Sequence, residues 1–271
     1  MKKQNVIIRT IIIIIFCAIQ LIPLYIIITV SLKERADLSS YWKLPAQPQF
    51  QNFVTALEIG GLFRAFSNTF IITFFSTLGV LVLGIMAAYP LSRNPSGFNK
   101  KVKTFILSMM MIPALSLLVP IYVLLLRLGG ISRFHGIVPV HMAFNLPVAV
   151  YMFSNFIKTI PIELDEAALI DGCSVYSIFF RIIVPLFKPV IVSVIIFVSI
   201  QVWNDFQYAL YFLPRPTMRV ITLAIASYFS MSGSNPNVAA AMALLAILPV
   251  VLLFILLQKY FIKGAVDGAI K

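Results

Sequence analysis

Four of the chain's nine acidic residues, Glu163, Asp165, Glu166 and Asp171, crowd into the short stretch from 163 to 171. Carboxylates at the start of a helix favour the positive end of its dipole, and they can equally present a charged end to another protein. Pro161 suits a first helical turn, where its missing N–H would be unpaired anyway. Leu164, Ala167 and Ala168 stand at i, i+3 and i+4 and predict one small apolar stripe. Gly172 predicts a left-handed cap that ends the helix, and Ser174 predicts the cap of a second one. Tyr176, Phe179, Phe180 and Ile183 would line a face of that second helix. Pro185 would stop it, and Pro189 would help start the next apolar run. Two short helices with a sharp turn admit two uses. They are either an interfacial pair whose acids serve only as caps, or a knob with small residues that docks into a cleft of another protein.

A second polar spot interrupts an apolar run at "VWNDF", residues 202–206. An acid inside a membrane-crossing segment is costly and usually faces a cavity or a partner. Trp203, Asn204 and Asp205 are therefore candidates for lining a translocation path, against the alternative of a structural hydrogen bond near the interface. His135 and His141 have no third ligand at metal spacing, so no metal role is assigned. The sequence has no G-x-x-x-x-G-K-[ST] phosphate loop and neither a nucleophile elbow nor a triad. Cys17 and Cys173 give no disulfide framework. An enzyme is not indicated.

The elements that must position these residues follow from composition. Of the 271 residues, 61% are hydrophobic and 11% charged, and the mean hydropathy is +0.99. Runs of about 20 apolar residues match the thickness of a bilayer core. The expectation is one all-α membrane domain, residues 1–271, with six spans near 10–31, 67–91, 104–126, 136–157, 187–212 and 238–261. The acid-rich segment, residues 158–186, joins spans four and five. Pro23, Pro113, Pro120, Pro147 and Pro249 lie inside spans, where neighbouring helices can satisfy the freed backbone groups. A short amphipathic helix is expected near Asn52–Leu57. The first span, preceded by Lys2, Lys3 and Arg9, reads as an uncleaved anchor.

The net charge of +12 fits the excess of Lys and Arg in cytoplasmic loops, and no soluble basic face suggests nucleic acid. With the N-terminus inside, 13 of the 21 Lys and Arg fall on the inner side. That arrangement makes both termini and the acid-rich segment cytoplasmic.

The segment "IPIELDEAALIDGCSVYSIFFRIIVPLFKP", 160–189, resembles the EAA loop of membrane subunits of binding-protein-dependent ABC importers. The pattern stands as Glu166, Ala167, Ala168, Gly172, Ile182, Pro185 and Leu186. "SLKERADL" after the first span (31–38), "NTFIITFFSTLGVLVLGIMAAYPLSR" (68–93), "VWNDF" (202–206) and "KYFIKGAVDGAIK" (259–271) are similar to the smaller permease of the maltose-type, carbohydrate-uptake branch. Cys173 departs mildly, at a position where that family more often has Ala or Ser.

The resemblance implies a type I importer permease fold and a carbohydrate as cargo, with a non-sugar solute as the alternative. It implies ATPase coupling through Glu166, Ala167, Ala168, Asp171, Gly172, Ser174, Phe179 and Pro185. It also implies a C-terminal tail, with Gly264, Gly268 and Lys271, that reaches the ATPase. The implied partners are a second homologous permease, two ATPase subunits holding ATP and Mg, an extracellular or periplasmic solute-binding protein, and membrane lipid. An ion-coupled secondary transporter would need midplane ionisable residues or paired repeats, and only Asp205 qualifies.

Overall fold

The computed structural model describes residues 2–58, 61–94, 96–231 and 235–269, with side chains from residue 6 to residue 259 within those ranges. All regular structure among the described residues is helical. Four helices are long and apolar enough to cross a bilayer: Val6–Ser31, Leu62–Arg93, Phe134–Ile157 and Pro236–Lys259. Two further pairs qualify as broken spans, Gly97–Met111 with Ala114–Arg127 and Val175–Leu186 with Lys188–Trp203. Together these make up to six passes.

The chain divides into two compact units. The first comprises residues 1–66 and 221–249. It holds α1 (Lys2–Ser31), α2 (Gln51–Glu58), α12 (Ile221–Phe229) and the first half of α13 (Pro236–Ala269). The isoleucine run Ile11–Ile15 of α1 is exposed along its length, as suits a helix whose solvent is lipid rather than water. A polar knot closes the loop after α1. Lys33 is only 2% exposed, and its Nζ donates to the Ser39 carbonyl (3.0 Å), the Ser39 hydroxyl (2.6 Å) and the Ser40 carbonyl (2.9 Å). Asn52 and Asn237 both donate to the Lys33 carbonyl, at 2.8 and 2.6 Å. The short helix expected near Asn52 delivers an amide to carbonyls at and just beyond the end of α1, those of Ser31 and Lys33.

The second unit comprises residues 67–220 and 250–271. It contains most of α3 (Leu62–Arg93), then α4 (Gly97–Ser108), α5 (Leu118–Arg127) and α6 (Phe134–Ile157). The chain continues through α7 (Glu163–Ile170), α8 (Val175–Ser177), a π-helical turn (Ile178–Ile183) and α9 (Val184–Leu186). Then come α10 (Lys188–Trp203) and α11 (Gln207–Phe212). Helices α3 and α6 pack closely because glycine lets them. A Cβ on Gly84 would sit 3.2 Å from both Ala149 and Phe153, and one on Gly79 would overlap the end of Met142. Phe187 stacks on Phe153 at 5.9 Å and meets Phe156 edge-on at 5.8 Å, which pins the corner between α9 and α10.

Two expected spans are not straight. The stretch read as 104–126 is bent by 95° at Pro113. Ile112 before it is extended, with φ −79° and ψ 122°, as the clash with a following proline ring demands. The stretch read as 187–212 stops at Trp203 and restarts at Gln207. Gly264 and Gly268 continue the backbone of α13; their surroundings, and Lys271, lie outside the described residues.

Candidate functional site: the acid-rich helix pair and the cavity at the helix breaks

The segment from Ile160 to Phe187 forms two helices with a sharp turn. Helix α7 begins at Glu163 with Ile162 at its cap, so Pro161 precedes the helix instead of occupying its first turn. It ends in a doubly bonded glycine turn. The N–H of Gly172 donates to the Leu169 carbonyl (3.0 Å), and that of Cys173 donates to the Ala168 carbonyl (2.9 Å). Gly172 has φ +80°, the left-handed conformation this turn requires. Ser174 then caps α8, its hydroxyl accepting from the Ser177 N–H at 3.3 Å.

The faces differ from the sequence expectation. Asp165 and Ala168 are the residues of α7 buried within the chain, while Glu163, Leu164, Glu166, Ala167 and Asp171 are exposed. The stripe of Leu164, Ala167 and Ala168 is thus split: Ala168 seats the helix on its own subunit, and Leu164 and Ala167 face outward. In the second helix Phe179 and Ile183 turn inward, but Tyr176 and Phe180 do not. The π turn is the cause. It widens the helix so that Ile178 and Ile183, five apart, share the buried side, and a 3.6-residue period no longer applies. Pro185 sits exposed in the first turn of α9.

The last turn of α3 holds this segment. Arg93 Nη2 lies 2.8 Å from Asp165 Oδ2, and Tyr89 donates its hydroxyl to Asp165 Oδ1 at 2.7 Å. Arg93 also donates to the carbonyls of Ile160 (3.0 Å) and Pro161 (3.4 Å). The Tyr89 ring lies 5.1 Å from that of Phe179. Sequence reasoning counted Asp165 only as a helix-end acid and Arg93 only as a loop charge. The usable signal was spacing: Asp165 stands three before Ala168, so both share one face of α7. Beside these contacts a groove of about 760 Å³ opens, lined by Met86, Leu169, Val175, Tyr176 and Phe180 among others.

Asn204 and Asp205 occupy the break between α10 and α11. Both Asp205 carboxylate oxygens accept backbone N–H groups of α11, Oδ1 from Tyr208 (3.2 Å) and Oδ2 from Ala209 (2.9 Å). Asp205 Oδ2 also lies 3.6 Å from His141 Nε2. Asn204 donates to the Ile200 carbonyl at 2.9 Å. Asp205 therefore caps a helix and also borders a cavity of about 530 Å³. Met109, Met110, Ile112 and Ala114 from the bend between α4 and α5 line the same cavity, as do His141 and Asn145 of α6. Trp203 is buried and does not line it.

An Asp205→Ala variant should lose the cap, costing about 0.5–2 kcal/mol of stability. Asn caps almost as well as Asp, so Asp205→Asn should keep the fold and alter uptake more than assembly. Transport and subunit copurification, measured together, separate the roles. Normal transport with lost assembly in Asp205→Asn would leave the residue as a cap alone.

The chain belongs to the family of binding-protein-dependent transport system inner membrane components, whose pattern matches residues 80–266. It is a multi-pass inner-membrane permease subunit of an ABC importer. It is 42% identical over 259 residues to the melibiose/raffinose/stachyose import permease protein MelC of Bacillus subtilis (strain 168), covering 95% of this chain and 94% of that one. It is 32% identical to the probable starch degradation products transport system permease protein AmyC of Thermoanaerobacterium thermosulfurigenes, covering 92% of this chain and 91% of that one. The fold matches that of a chain in the crystal structure of a bacterial ABC transporter involved in import of the acidic polysaccharide alginate. The TM-score is 0.80 at 21% identity, over 94% of this chain and 95% of that one.

Proposed function

We propose that this subunit moves a carbohydrate, a mono- or oligosaccharide, into the cell, and that the cavity at the two helix breaks borders its path. The single observation behind this is that both broken helices turn their irregular backbone to one space. Non-helical backbone at membrane depth is tolerated where it lines a cavity. The walls suit a sugar. Asn145, Gln201, Asn204 and Gln207 bring amides that can both donate and accept, and Phe144 and Tyr208, stacked at 5.1 Å, bring flat apolar faces. The relatives named for sugar and starch-product import support the same class of cargo.

The segment 160–189 is the docking element for an ATPase subunit. In this reading the exposed Glu166, Ala167 and Asp171 meet the ATPase, while Gly172, Ser174, Phe179 and Pro185 set the angle between the two helices. The complex holds a second homologous permease, two ATPase subunits with their ATP and Mg, and an external solute-binding protein. Both termini lie in the cytoplasm, and the tail with Gly264, Gly268 and Lys271 reaches toward the ATPase. The test is the complete complex in vesicles with its binding protein, offered melibiose, raffinose and stachyose. ATP-dependent uptake of at least one sugar is expected. Uptake of a non-sugar solute alone would reject the carbohydrate reading and leave the permease assignment standing.

A further inference from the structure

We propose that Arg93, Asp165 and Tyr89 are positioning residues for energy coupling, forming a strut through which movement of the docking helices reaches α3. The inference rests on the reading of residues 160–189 as the ATPase-docking segment. Three observations carry it. First, Asp165 points away from the exposed, partner-facing side of α7 and is buried against α3. Each carboxylate oxygen takes its own partner, Tyr89 on one and Arg93 on the other. Second, Arg93 reaches the carbonyls of Ile160 and Pro161, so one guanidinium holds both the entry to α7 and its first turn. A planar fork of five donors suits that task, and a lysine ammonium does not reproduce its geometry. Third, the Tyr89 ring touches Phe179 beyond the Gly172 turn, so a single turn of α3 holds both docking helices. The open groove beside these contacts leaves part of the two surfaces unpacked, which concentrates the mechanical connection on this cluster.

A charge-assisted network of this kind resists both push and pull, because breaking it leaves a buried charge without its partner. Apolar contacts transmit a push but separate on a pull. The strut would therefore move α3 in both halves of the transport cycle.

The test uses the complete complex in vesicles, with Arg93→Gln and Asp165→Asn made separately and Arg93→Lys as the conservative variant. The readouts are ATPase copurification, ATP hydrolysis and sugar uptake per ATP hydrolysed. Both neutral variants should retain ATPase binding and hydrolysis while uptake per ATP falls by about fivefold or more, roughly the size of a modest energetic coupling between two sites. Arg93→Lys should recover part of that ratio. An unchanged ratio in both neutral variants would overturn the proposal. So would a parallel loss of binding, hydrolysis and uptake, which marks a merely structural contact. Failure of the docking reading has a separate signature, namely normal ATPase binding in a variant with added bulk on the exposed side of α7.

Discussion

An Ala167→Trp variant should reach the membrane at normal levels and bind its ATPase about 5- to 150-fold more weakly. Ala167 is exposed on the side of α7 opposite the buried Asp165 and Ala168, so added bulk spares the subunit's own packing. The cost falls on the partner, and overpacking a close contact typically costs about 1–3 kcal/mol, which gives that range of affinity. Gly172→Val reaches the same phenotype by another route. No atom lies within 4 Å of a Cβ at Gly172, so the penalty is in the backbone alone. Holding an L-residue left-handed costs about 1–2 kcal/mol. The strain can be relieved only by opening the turn, which re-aims α8 and everything after it. Asn, which tolerates this conformation, should do less harm than Val. Membrane level, ATPase copurification and uptake are measured for each variant. Full ATPase binding and full uptake in both Ala167→Trp and Gly172→Val would reject docking by this segment and leave an interfacial helix pair.

Gly136→Ala should destabilise the fold itself, by about 3 kcal/mol or more, at the upper end of overpacking costs. Helix α5 ends in the same kind of glycine turn as α7. The N–H of Gly129 donates to Leu126 and that of Gly130 to Leu125, at 3.2 and 2.8 Å, and Gly129 has φ +67°. The chain then passes directly over the start of α6. A Cβ on Gly136 would overlap the Gly130 carbonyl oxygen and lie 2.7 Å from its carbon. Those are backbone atoms, so no side-chain rotation relieves the clash. Ser132, held at φ 55°, ties this loop to the end of α11 through its N–H on the Phe212 carbonyl at 2.7 Å. A displaced loop therefore disturbs the neighbourhood of the cavity as well. The thermal midpoint of the purified chain in detergent should drop and its membrane level fall. An unchanged midpoint would show that the loop yields at little cost.

The long spans and the turn at Gly172 were legible because each depends on local sequence. An apolar run of span length has one solution in lipid, and a glycine after an acid-headed helix has a strong cap preference. The bend at Pro113 and the break at Asn204 were not. Hydropathy averaged over a span hides three irregular residues. A proline announces a lost backbone bond but not what replaces it: Pro147 sits in an unbroken α6, whereas Pro113 marks a 95° bend. "ND" at 204–205 carried a cap signature that the surrounding apolar residues masked. The contacts of Asp165 with Tyr89 and Arg93 join residues far apart in sequence, and only tertiary packing brings them together. The inward face of the second helix of the pair was misjudged because the π turn changes the period.

Helix α3 is fastened at both ends within its unit. Near its start Asn68 donates to the carbonyls of Thr217 and Arg219, each at 3.0 Å, and at its close stands Arg93. The 25 steps from Asn68 to Arg93 along one continuous helix span about 38 Å at the usual helical rise. A helix that moves as one piece is a lever. Tilting it by about 5° at the Arg93 end carries Asn68 through roughly 3 Å over that length, comparable to the diameter of a water molecule. If residues 160–189 dock as proposed, a displacement too small to unseat the helix pair would be magnified at the other end of α3, at residues 217–219, with no need for any span to unfold or re-register.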